Sequence, residues 1–126
     1  MPGFSKDTAP NVLDFGSDID RRGELAGYTA EFVTIREGHS LAPLLKGLPD
    51  DSCQCAHWGY LLAGALTVSY SDHEETYRAG DAFYMPPGHV PAAETGSEFL
   101  IFSPTDDLAV SEAAMKANAE ALQASR

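Results

Sequence analysis

The chain has 126 residues, 44% apolar and 21% charged, an ordinary globular balance with enough length for one domain and a real core. Its 19 acidic residues outnumber 8 basic ones, for a formal charge of −11, and such a surface repels nucleic acid and anionic membranes. No apolar run approaches the roughly 18 residues of a membrane span. Residues 1–7 (MPGFSKD) lack the apolar stretch of a secretory signal, so a cytoplasmic protein is expected.

The first ten residues are polar, contain Pro and Gly, and are expected to be loose. Val12 to Phe15 has the character of an edge strand. Residues 28–36 (YTAEFVTIR) are rich in β-branched and aromatic side chains and stop at Gly38, which predicts a strand. Ser40 to Lys46 is a further candidate, interrupted by Pro43. Cys53 to Leu62 and Ala65 to Tyr70 read as two strands hinged at Ala63-Gly64. Short strands follow near Glu75 to Arg78 and at Ala82 to Met85, then a sharp Pro86-Pro87-Gly88 loop and an apolar strand from Glu98 to Phe102. Asp106 and Asp107 suit the start of a helix, and Leu108, Met115, Ala119 and Leu122 form one helical stripe. A C-terminal helix over about 107–123 is predicted to lie on an all-β barrel or sandwich.

Residues 53, 55 and 57 (Cys, Cys, His) alternate with Gln54, Ala56 and Trp58, which in a strand puts two thiols and an imidazole on one face. Such donors suit zinc, iron, nickel or copper. The competing reading is a buried core, since cysteine often fills space and one histidine beside it is easily satisfied. His89, after Pro86-Pro87-Gly88, is a second imidazole at the mouth of the next strand pair. His39 and His73 are expected in solvent. A Cys53–Cys55 disulfide sits near the geometric limit, with α-carbons about 6.6 Å apart, and reduced thiols are expected. Thiol redox chemistry at this pair has little support, because His57 is its only basic neighbour in sequence.

The stretch from about residue 50 to 103 resembles the cupin superfamily. His57-Trp58-Gly59-Tyr60-Leu61-Leu62-Ala63-Gly64 is similar to the end of the family's first motif, G-x5-H-x-H-x3-4-E-x6-G, with His57 in the glutamate's place. On that register Cys53 falls on the second histidine and Asp51 on the first. Gly80, Pro86 and Gly88 match the second motif, G-x5-P-x-G-x2-H-x3-N. There the family's last histidine falls on Pro91 and its asparagine on Thr95, while His89 lies two residues earlier and so on the same strand face.

The resemblance implies a double-stranded β-helix, a jelly roll in which residues 1–126 form one domain with a motif-bearing core over about 28–103 and a short C-terminal helix. It implies a divalent metal ion (zinc, iron, nickel or manganese) held by Cys53, His57 and His89, with Cys55 and Asp51 as alternates. In a straight strand Cys53 and His57 stand about 13 Å apart, so their joint ligation requires a bend. A small polar organic molecule is the expected ligand. It meets either a metal-dependent enzyme or a non-catalytic sensor, and an Asp51 or Glu94 carboxylate in the cavity distinguishes the first. Trp58, Tyr60 and Leu62 face away from His57 and form either covered sheet or a dimer surface, and a homodimer is expected. Tyr84 and Glu94 are placed near the cavity by position alone.

Overall fold

A computed structural model of the chain describes residues 3–124. In chain order its strands are β1 (Asn11–Asp14), β2 (Asp18–Leu25), β3 (Tyr28–Ile35), β4 (His39–Ser40) and β5 (His57–Ala63). They continue with β6 (Ala65–Ser69), β7 (Glu74–Arg78), β8 (Ala82–Met85), β9 (Val90–Ala93) and β10 (Glu98–Pro104), followed by helix α1 (Thr105–Ala124). Six strands form one sheet in the order β1-β2-β3-β10-β5-β8, and four form the other in the order β4-β9-β6-β7. Every paired neighbour is antiparallel, and the crossings between sheets make the expected jelly roll.

The core follows from the period-two alternation of each strand. Val33, Ile35, Leu61, Leu66, Val68, Phe83, Met85, Phe99 and Ile101 turn inward and form one buried cluster between the sheets. Gly59 is the thin place in this wall. A Cβ there would run into the Phe83 ring and stand 2.8 Å from the Leu100 carbonyl oxygen. The space it leaves free lets Phe83 lie flat and stack on Tyr77, with ring centroids 4.9 Å apart.

Several expectations are corrected. Strand β2 was not foreseen, because Asp18, Asp20, Arg22 and Glu24 make the segment look like a charged loop. Its pairing with all eight residues of β3 holds it. Ser40 to Lys46 is not a strand; β4 ends at Ser40, and Pro43 lies in a 3-10 turn over Ala42–Leu44. The strand expected from Cys53 begins only at His57, since Cys53 pairs its backbone with the loop before β9 instead. The N-terminal residues from Gly3 on lie against the barrel, with Phe4 edge-on to Phe32 (centroids 6.0 Å) and Lys6 paired to Glu98 at 2.9 Å. Helix α1, the expected C-terminal helix, is 20 residues long and carries Asp106 and Asp107 in its first turn. Residues 1–2 and 125–126, included in the one-domain reading, lie outside the described residues. No helix among the described residues is long and apolar enough to cross a membrane.

Candidate metal centre

Cys53, His57 and His89 come together at one end of the barrel. Their donor atoms all lie within 4.8 Å of one another, and all three residues are buried. The approach begins in the backbone. Cys53 N–H donates to the His89 carbonyl at 2.9 Å, and Gly88 N–H donates to the Cys53 carbonyl at 2.8 Å. Gly88 makes the turn that allows this with φ at +97°, which a side chain rarely tolerates. Between Cys53 and His57 the chain bends, so Cys53 Sγ stands 3.8 Å from His57 Nε2.

Each imidazole is fixed through its other nitrogen. His89 Nδ1–H donates to the Pro86 carbonyl at 2.6 Å. His57 Nδ1 shares a 2.6 Å hydrogen bond with Ser103 Oγ, itself buried on β10. Outer partners of this kind set the tautomer and aim of metal-binding histidines. His89 Nε2 is left buried without a hydrogen-bond partner, an uncommon state for an imidazole nitrogen. Burial, with His89 next to it, pushes His57 down to about 3, and burial also lowers His89, so both rings are neutral at pH 7 with lone pairs available. Cys53 Sγ also lies 3.5 Å from Ser111 Oγ of α1.

The two alternates stand elsewhere. Asp51 is exposed, with Oδ1 accepting from Gly47 N–H at 2.8 Å. Cys55 is not among the converging donors; it packs with Cys53, Leu45 and Leu108 in a second apolar cluster, and burial, with Cys53 nearby, raises its thiol to about 12. Both cysteines are free, and so high a pKa argues against a thiolate nucleophile at Cys55.

A cavity of about 160 Å³ adjoins the three donors. Its wall is mainly the apolar core, with Pro91 at the family's fourth ligand position. Tyr84 and Glu94 do not line it; Tyr84 stands on the outer face of the six-stranded sheet. His73 is exposed as expected, whereas His39 is half-buried and lines the cavity. The polar residues that sequence reasoning missed are Asp18, Asp20, Arg22, Glu31, Ser111 and Glu112. The available signal was parity: Glu31 shares its strand face with Val33 and Ile35.

No protein-family model matches the sequence, and no curated protein does. Solved structures do. A protein of unknown function from Rhizobium leguminosarum is 22% identical, with a TM-score of 0.60 over 82% of this chain and 95% of that one. An RmlC-like cupin from Shewanella frigidimarina is 20% identical, with a TM-score of 0.56 over 81% and 88%. A mutant oxalate decarboxylase from Bacillus subtilis, also 20% identical, gives 0.59 over 80% of this chain but only 28% of its own. The chain therefore has the cupin fold.

The Ser103 contact is testable without any metal. Ser103→Ala leaves His57 Nδ1 buried and unpaired, and we expect a loss of about 1–3 kcal/mol in urea denaturation. Stability equal to wild type would show that the hydrogen bond holds nothing.

Proposed function

We propose that Cys53, His57 and His89 hold one divalent metal ion and that the adjoining cavity receives a small organic molecule beside it. The observation that carries this reading is the convergence of three buried donors, one of them the unpartnered Nε2 of His89. A tetrahedral ion with bonds of about 2.0–2.3 Å sets its donors roughly 3.3–3.8 Å apart. The Cys53–His57 separation of 3.8 Å fits, and the other separations, all within 4.8 Å, require a closure of at most about 1 Å. One thiolate with two imidazoles favours zinc, iron or nickel over magnesium or calcium. Manganese, which prefers oxygen donors, suits this set less well.

In this reading the protein's own groups do the positioning. Ser103 and the Pro86 carbonyl fix the two rings, and the apolar wall keeps water from competing for the ion. Asp51 stays outside, so three donors leave an open coordination position facing the cavity. That openness supports a metal that meets a small molecule over a closed structural site. When bound, such an ion supplies Lewis-acid or redox chemistry to whatever occupies the open position. Neither Asp51 nor Glu94 lines the cavity, so the carboxylate expected of an enzyme is not supplied by them, and the open position alone is what favours a metal-dependent enzyme over a pure sensor.

We also propose a homodimer through the outer face of the six-stranded sheet. Trp58, Tyr60, Leu62 and Tyr84 are each between 43% and 46% exposed there, and Trp58 packs against both Tyr28 and Tyr84. A contiguous aromatic face of this kind rarely stays in water.

Thermal melting with and without EDTA tests the metal. A metal at about a hundred times its Kd adds about 2.7 kcal/mol, so the chelator should lower the wild-type midpoint by on the order of 10 °C. His57→Ala and His89→Ala should scarcely respond. A wild type indifferent to EDTA and isolated without stoichiometric metal refutes the assignment. Sedimentation equilibrium tests the dimer: about twice 13.5 kDa is expected at micromolar concentration, falling to 13.5 kDa in Tyr60→Glu. A wild-type mass of 13.5 kDa overturns the pairing.

A further inference from the structure

A second polar cluster lines the cavity. Asp20 and Arg22 of β2, Glu31 of β3 and Glu112 of α1 meet there and line the same cavity as the three donors. Arg22 is the hub. Its Nε and Nη2 donate to the two Asp20 oxygens at 3.2 and 2.9 Å, and its Nη1 and Nη2 to the two Glu112 oxygens at 2.9 and 2.7 Å. Nη2 also donates to Glu31 Oε2 at 2.9 Å. Five of the six carboxyl oxygens are thus occupied by one guanidinium. The sixth, Glu31 Oε1, is buried with no partner, on a residue only 4% exposed.

Two quantities are out of balance. One positive charge faces three carboxyls, and one buried acceptor lacks a donor, each an expensive arrangement in a low-dielectric site. Burial, with Asp20 beside it, accordingly pushes the Glu31 carboxyl well above the usual range. A single ligand group that brings both a positive charge and N–H donors settles both. A calcium- or magnesium-type ion suits the place poorly, because it takes six or more oxygens and would compete with Arg22 for every carboxyl oxygen but one. An organic ammonium fits, since the wall beyond Glu31 (Val33, Ile35, Phe99, Ile101) suits its hydrocarbon body.

We propose that Glu31 Oε1 anchors the ammonium group of a small amine, whose apolar body lies along the cavity wall. The ligand class is a primary amine with a short hydrocarbon chain, which lies along Val33 and Phe99. Asp20, Arg22 and Glu112 are positioning residues, holding Glu31 with one oxygen aimed at the ligand.

The test is an NMR titration of the protein as purified with n-butylammonium chloride, n-butanol and sodium butyrate at matched ionic strength. Butylammonium should shift the amides around Glu31 saturably and bind at least tenfold tighter than butanol or butyrate. Glu31→Gln, which keeps shape and loses charge, should weaken butylammonium tenfold or more. Three probes that bind alike, no saturable binding, or an undiminished Glu31→Gln each overturn the proposal. Should that variant fail to fold, the butylammonium-to-butanol comparison on wild type decides alone. A parallel zinc titration separates the two readings. Zinc binding without amine selectivity sinks the Glu31 anchor only. Amine selectivity without zinc binding keeps the anchor and sinks the metal centre.

Discussion

Two backbone hydrogen bonds tie Cys53 to the Gly88-His89 turn, and the geometry of the candidate centre depends on them. Without that tie the chain before β5 would extend as a strand, with Cys53 and His57 about 13 Å apart. With it, the thiol and the imidazole stand 3.8 Å apart, and His89 is delivered from the opposite side by the same contact. The Pro86-Pro87-Gly88 turn therefore has two tasks. Its backbone shapes the bend, and its Pro86 carbonyl holds the His89 ring.

Around this tie the barrel supplies what a metal site needs before any ion arrives. Burial keeps both imidazoles neutral, so no proton competes for their lone pairs at pH 7. The second sheet closes the cavity from one side. Helix α1 covers it from another, through Ser111 against Cys53 and Glu112 against Arg22. Asn118 fastens the helix further along, donating to the Leu44 and Lys46 carbonyls at 2.7 and 2.8 Å. Adjacent helix residues thus touch both polar groups of the cavity, the soft donors through Ser111 and the carboxyl cluster through Glu112.

Much of this was legible in the chain because cupin-like spacing and strand periodicity agree. Strands β6, β7, β8 and β10 appear close to where alternation and Gly/Pro turns put them, β5 starts four residues later than expected, and Cys53, His57 and His89 are the residues that converge. The bend between Cys53 and His57 was inferred only as a requirement, since no local signal encodes a bridge to residues more than thirty positions away. Strand β2 was missed for a related reason. Its inward face is charged, and it makes sense only once Arg22 is seen among Asp20, Glu31 and Glu112, partners from three different elements. Period-two reading expects apolar residues inside, so it overlooks a polar cluster inside a barrel.

The central claim is that Cys53, His57 and His89 bind one ion together, with Cys55 outside the sphere. Cobalt(II) reports this directly, because a cobalt–thiolate bond absorbs in the near ultraviolet and imidazole ligation alone does not. Titrating the metal-free protein should raise that band to saturation at one equivalent. It should persist in Cys55→Ser and vanish in Cys53→Ser, with His57→Ala and His89→Ala shifting the visible bands and weakening binding. An absent thiolate band, or one lost with Cys55 and kept without Cys53, would contradict the account.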